Sequence, residues 1–186
     1  MTQGLRYIKN VLIGKKMKRI ETSAIKTWAV AKKTKNIKAK PLISIMIDRS
    51  VTNKFLVDTL EGKEPLGDGA IICIGESNDI WQQMPKKLLQ KYNVIEIDKD
   101  GWMVCEPRPD NSVDCIEITE LIADPYEDDE GFFIVGLWGE KRFHKGVDEL
   151  IQRADYGDFI CRNREDKTDV WIVKRKIFIN TYNIIS

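Results

Sequence analysis

The stretch "DIWQQMPKKLLQKYNVI" (79–95) returns ninety residues later as "DVWIVKRKIFINTYNII" (169–185), and this recurrence decides the fold. Asp79 and Trp81 fall on Asp169 and Trp171, Lys86 on Lys176, Tyr92-Asn93 on Tyr182-Asn183 and Ile95 on Ile185. Leu88, Leu89 and Val94 meet Phe178, Ile179 and Ile184, so apolar character is kept. At the same offset Gly67-Asp68 matches Gly157-Asp158, and an Ile-Cys pair recurs two residues out of step. A Gly-Asp turn, a strand, a polar return and a tryptophan strand are expected in each copy. A short helix follows, opened in the first copy by Pro85, where a helix tolerates proline. Leu88 and Tyr92, and likewise Phe178 and Tyr182, sit four apart on one helical face, which makes them core residues.

Outward from this unit the chain reads as short strands bounded by Asp, Gly, Asn and Pro. Strands are expected at 25–33, 42–47, 55–59, 70–74 and 93–97, and a helix at 5–13. "GWMVCEPRPDNSVDCIEI" (101–118) folds about Asp110 as a hairpin in which Trp102 faces Ile118 and Cys105 neighbours Cys115. "FFIVGLWGEKRF" (132–143) reads as a further hairpin. "KGVDELIQRA" (145–154) reads as a helix, because Val147, Leu150 and Ile151 have helical spacing. The fold class expected is α+β, mainly short antiparallel strands with few short helices, in two pseudo-repeated β-rich units. The units span 42–98 and 132–186, with a basic arm at 1–41 and a hairpin and acidic loop connector at 99–131.

At 42% hydrophobic and 32% charged residues, the 186-residue chain has the composition of an ordinary globular protein. No apolar run approaches the ~20 residues of a membrane helix, and no secretory signal is legible, so a cytoplasmic location is expected. Residues 1–40 carry twelve Lys and Arg against Glu21 alone, whereas the remainder carries eighteen basic and twenty-eight acidic residues. Such an arm either meets an anionic partner or docks on its own acidic body. Lys15, Lys16, Lys18, Arg19, Lys32 and Lys33 are the candidate nucleic-acid-binding residues, with Tyr7 and Trp28 interspersed for stacking.

Other chemistry is sparse. Cys73, Cys105, Cys115 and Cys161 form no CxxC, and no metal site or cofactor is expected. His144 is the single histidine, without a nucleophile motif beside it, and no catalytic residue is assigned. Asp68 and Asp158 belong to turns, "LGDGA" and "GLWGE" lack the Lys-Ser/Thr of a phosphate loop, and "EDDE" (127–130) lacks the spacing of an EF-hand.

Together, "TLEG" (59–62), Gly157, Asp158, Phe159, Trp171, Phe178 and Tyr182 resemble the motif of the PGDYG family of bacterial and phage proteins. Tyr156 and Phe159 stand where that pattern has proline and tyrosine. The family has no established activity, so the resemblance implies a fold and a phage or mobile-element setting rather than a reaction. The expected function is a non-enzymatic binding or regulatory module acting through protein–protein contacts. Its partner is another protein or further copies of the chain, and no membrane. The alternatives are a nucleic-acid-associated protein using the basic arm, and a hydrolase with a carboxylate-lined cleft between the units.

Overall fold

The computed structural model describes residues 17–41, 56–60, 62–65, 67, 69–122, 131–144 and 146–186. The helix expected at 5–13, the strand at 42–47, Asp68 and the acidic 127–130 loop lie outside these residues. The described chain is mostly antiparallel strand with two short helices, in keeping with a β-rich α+β fold.

One five-stranded sheet is built from β2 (Ala29–Lys33), β10 (Ser112–Glu117), β13 (Phe159–Asn163), β14 (Val170–Val173) and β15 (Tyr182–Ile184), in the order β14-β13-β10-β2-β15. The other contains β3 (Ile37–Pro41), β6 (Ile71–Ile74), β7 (Ile80–Gln83), β8 (Tyr92–Ile97) and β9 (Met103–Pro107), in the order β7-β6-β3-β9-β8. Both follow one plan. A hairpin, β6-β7 or β13-β14, leads into a seven-residue helix, α1 (Pro85–Lys91) or α2 (Arg175–Thr181), and then into an edge strand.

The registers match as well. Cys73 lies between Ala39 and Trp81, and Cys161 lies between Cys115 and Trp171. Cys105 opposes Ile37 and Val94, while Ala31 opposes Val113 and Ile184. β2, between β10 and the edge strand β15, comes from far away in sequence, whereas β9, between β3 and the edge strand β8, follows β8 directly through residues 98–102. β2 crosses to its sheet from the β3 side through Thr34–Asn36, and β9 is joined to β10 of the other sheet through 108–111.

Two expectations are therefore corrected. Residues 101–118 do not form a hairpin: β9 pairs with β3 and β8, and β10 with β13 and β2. The apolar alternation on both strands is real, but each is an interior strand with both edges used. Pro109, which has no N–H to give a ladder, sits in the crossing. Cys115 consequently stands opposite Cys161, not Cys105, and all four cysteines are buried free thiols. The segments expected as a basic arm and a connector supply strands to both sheets.

Residues 132–154 also differ. β11 (Phe132–His144) is a single long strand, paired antiparallel with β12 (Val147–Ala154), where a helix was expected. Backbone pairing along β11 overrides the helical spacing of Val147, Leu150 and Ile151. β1 (Lys18–Arg19) joins β11 in parallel, completing a three-stranded sheet. A bulge between Val135 and Glu140 holds Trp138 and Gly139. β4 (Leu56–Thr59) and β5 (Gly62–Pro65) form a short hairpin of their own.

Burial of apolar side chains, the main favourable term in folding, is distributed over three clusters. Ile20, Ile118, Phe132, Ile134 and Ile160 fill the space between the β11 sheet and the β13 sheet. Phe178 of α2 covers Cys161, Val113 and Ala31, and stacks on Phe159 with ring centres 3.7 Å apart. Leu88 of α1 covers Cys73, Ile37 and Cys105 in the corresponding way.

Candidate functional site

Asp158 shows how the recurring Gly-Asp turn is used. Gly157 adopts φ +86°, a conformation glycine takes without strain. Asp158 accepts hydrogen bonds from the backbone N–H groups of Asp155 at 2.9 Å and Arg175 at 3.0 Å, and from Lys174 Nζ at 2.8 Å. Arg175 is the first residue of α2, so this carboxylate satisfies an otherwise unpaired helix amide and fixes the helix on its hairpin. Burial works against charge on Lys174, but the carboxylates of Asp158 and Asp155 prevail and hold its pKa above the ordinary value. Asp158 is thus a structural anion with its oxygens occupied.

The two tryptophan strands meet the two edge-strand tyrosines around a cleft of about 150 Å³. Trp81 and Tyr92 come from one sheet and Trp171 and Tyr182 from the other, while Trp138 reaches in from the β11 bulge. Trp138 also packs on Gly67, where a side chain would press the indole at 3.2 Å. Gln152 braces the bulge by donating to the Trp138 carbonyl at 3.0 Å and accepting from the Ile172 N–H at 2.8 Å. Trp81, Tyr92, Trp171 and Tyr182 are central because each ladder turns them to the same side as its buried cysteine's cluster. Burial holds the Tyr92 and Tyr182 hydroxyls protonated, with pKa values above the ordinary one.

Two lysines project into this aromatic space. Lys33 Nζ lies 4.6 Å from the Trp81 ring centre, 5.6 Å from Tyr182 and 5.9 Å from Tyr92. Lys91 Nζ lies 4.3 Å from the Trp171 ring centre. Cation–π contacts of this kind contribute about 0.5–2 kcal/mol each. Neither ammonium has a hydrogen bond or ion pair among the described residues. Loss of water around Lys33 lowers its pKa to about 8, against the opposing pull of Asp79; Lys91 is lowered for the same reason against Asp169. Asp169 is engaged by Lys87 at 2.7 Å, whereas Asp79 Oδ1 is buried without a hydrogen-bond partner.

The cleft's thiol neighbours are inert. Burial pushes Cys73 up to about 12 and Cys161 well above its ordinary value, so both are thiols at neutral pH.

Four of the six basic residues singled out in the sequence are described, two on β1 and two on β2. Lys15 and Lys16 lie outside the described residues. Lys18 and Arg19 are on β1, and Arg19 bonds Glu149 at 2.8 Å and Glu21 at 2.7 Å. Lys32 and Lys33 are adjacent on β2, so they point to opposite sides of the sheet. Lys35 and Lys38 reach Glu76 and Asp98 of the acidic remainder. Sequence reasoning missed Asp79, Lys91, Trp138 and Gln152 as site residues. Only the repeated Trp and Tyr signalled the cleft, and they were read as core.

Comparison with known proteins finds no match among family models, curated proteins or solved structures. Among the described residues, no helix is long and apolar enough to cross a membrane.

Proposed function

We propose that this chain is a non-enzymatic binding module made of two copies of one unit, and that it binds a small ligand in the cleft where the copies meet. Each unit runs strand, strand, hairpin, strand, strand, helix, strand, and lends its first strand to the other copy's sheet. The matched registers about Cys73 and Cys161 support the duplication. The PGDYG-like residues fall within these units, and kinship with that family is part of this reading. Contacts with a partner protein belong to it too. Leu89, Val94 and Ile95 are exposed, and so are Ile179, Ile184 and Ile185 at the matching positions, which gives two like apolar patches.

The observation that carries binding over catalysis is the state of the cleft's reactive groups. Asp169 is bonded to Lys87, and the thiols behind the walls are protonated, while aromatic walls and two unbonded ammonium groups face the space. Such a wall suits recognition of a ring and an anion, and Asp79 and Lys33 are the groups through which any turnover would run. A panel of single-ring compounds of different charge, followed by tryptophan fluorescence and by recovery of the compound, tests this. Saturable binding with the compound recovered unchanged is expected. Turnover that Asp79→Asn abolishes in a folded protein would overturn the reading.

A further inference from the structure

The cleft contains an imbalance of charge with a chemical meaning. Lys33, Lys87, Lys91 and Lys174 line it, together with Asp79 and Asp169. Lys87 is bonded to Asp169, and Lys174 is bonded to Asp158 and Asp155 outside the lining set. The remainder is Lys33 and Lys91 against Asp79 alone. An ammonium withdrawn from water is costly unless it is paired and hydrogen-bonded. Aromatic faces compensate it in part but offer no acceptor oxygen. The two ammonium groups also act on one another, since Lys91 lowers the pKa of Lys33. The positions call for an acceptor carrying one negative charge.

We propose that the cleft binds a small aromatic carboxylate, its carboxylate bridging Lys33 Nζ and Lys91 Nζ and its ring held among Trp81, Trp138 and Trp171. This rests on the reading of the cleft as a binding site and specifies its ligand class. The charge argues for a monoanion, because one negative charge neutralises the set left after the internal ion pairs. The indoles argue for a ring, and a space of about 150 Å³ is the size that holds a single benzene ring. The Tyr92 and Tyr182 hydroxyls, kept protonated, are available as additional donors to the same oxygen atoms. Lys33 has no lysine at the matching register position, which is Pro107, so the two halves of the cleft differ and an unsymmetrical ligand has one orientation.

Benzoate, benzamide, benzylamine and inorganic phosphate are the probes, titrated into the full chain with detection by indole fluorescence and ligand-observed NMR. Benzoate is expected to saturate, with benzamide and benzylamine at least ~10-fold weaker, the loss of one charge-assisted hydrogen bond or more. Lys33→Met and Lys91→Met are each expected to weaken benzoate about tenfold or more and to weaken benzamide by a smaller factor, since its carbonyl accepts only a neutral hydrogen bond. Circular dichroism of both variants and thermal melts confirm that they are folded, and Lys33→Arg, which keeps the charge, should retain part of the affinity. Tighter binding of benzylamine or benzamide than of benzoate would overturn the ligand class and leave the cleft a binding site. Phosphate competing equally with benzoate would overturn the aromatic part. Absence of saturable binding by all four probes would overturn the binding reading itself.

Discussion

Lys33 concentrates the difference between charge counted along a chain and charge placed in a fold. It is legible in the sequence as one of many arm lysines, and alternation along β2 separates it from Lys32. The aromatic rings around it come from β7, β8 and β15, none of them local, so no window of sequence exposes its surroundings. Its pH dependence follows from the lowered pKa. Below about 8 the native state holds an ammonium where burial favours the neutral amine, and that cost is fully present. Between about 8 and 10.5 the unfolded chain still binds the proton that the native chain has released, so stability rises with pH. Lys33→Met, which removes the group, should be more stable than the parent at pH 7 by on the order of 1 kcal/mol. The advantage should shrink as pH rises through that window. Urea unfolding at pH 7 and at alkaline pH measures it; an advantage that grows with pH would contradict the argument.

Among elements, α1 was the most readable: Pro85 occupies its first turn, Leu88 is buried and Tyr92 follows at its end. β11 was the least. Gly136 and Gly139 look like turn residues, and the sequence suggested a hairpin between them. In the structure both lie within one strand, and Gly139 takes the conformation that the bulge requires. Gly139 has φ +145°, and a side chain there would run into the Ile151 carbonyl oxygen across the ladder. Gly139→Ala is therefore expected to destabilise by about 3 kcal/mol, through strain and a broken bulge together. Because the bulge presents Trp138 to the cleft, ligand affinity should fall as well; a thermal melt and a fluorescence titration of this variant read the two effects separately. Asp114, on β10, is a contrasting case of local order. Burial raises its pKa, but bonds from Lys167 and Arg162 overcome this and hold it below the ordinary value.

For the molecule as a whole, the recurring Trp and Tyr positions located a hairpin, a helix and an edge strand in each five-stranded sheet. The first strands were unreadable as counterparts. "AVAKK" and "MVCEP" share no composition, and only their ladders equate Ala31 with Cys105. The strand expected at 25–33 is present as β2, but the strongly basic composition of residues 1–40 hid β3 and the interior place of both strands. Removal of that segment would take β2 from one sheet and β3 from the other, so binding lost on truncation would report collapse of the fold rather than loss of a contact.

The exchange of β2 and β9 makes the protein separable in a particular way. The turn around Lys99 and Asp100 joins β8 to β9 at the surface, and both residues are exposed. Fragments 1–99 and 100–186, made as separate peptides, would each hold an interior strand that the other requires, with the cleft's aromatic groups divided between them. Neither should show cooperative unfolding alone, because a sheet missing an interior strand leaves two rows of backbone groups unpaired. Mixed in equal amounts, they should reassemble and regain the fluorescence response to ligand. A fragment 1–99 that folds and melts cooperatively by itself would disprove this dependence. The chain is thus its own pair of complementing halves, and reassembly reports proximity of whatever the halves are fused to.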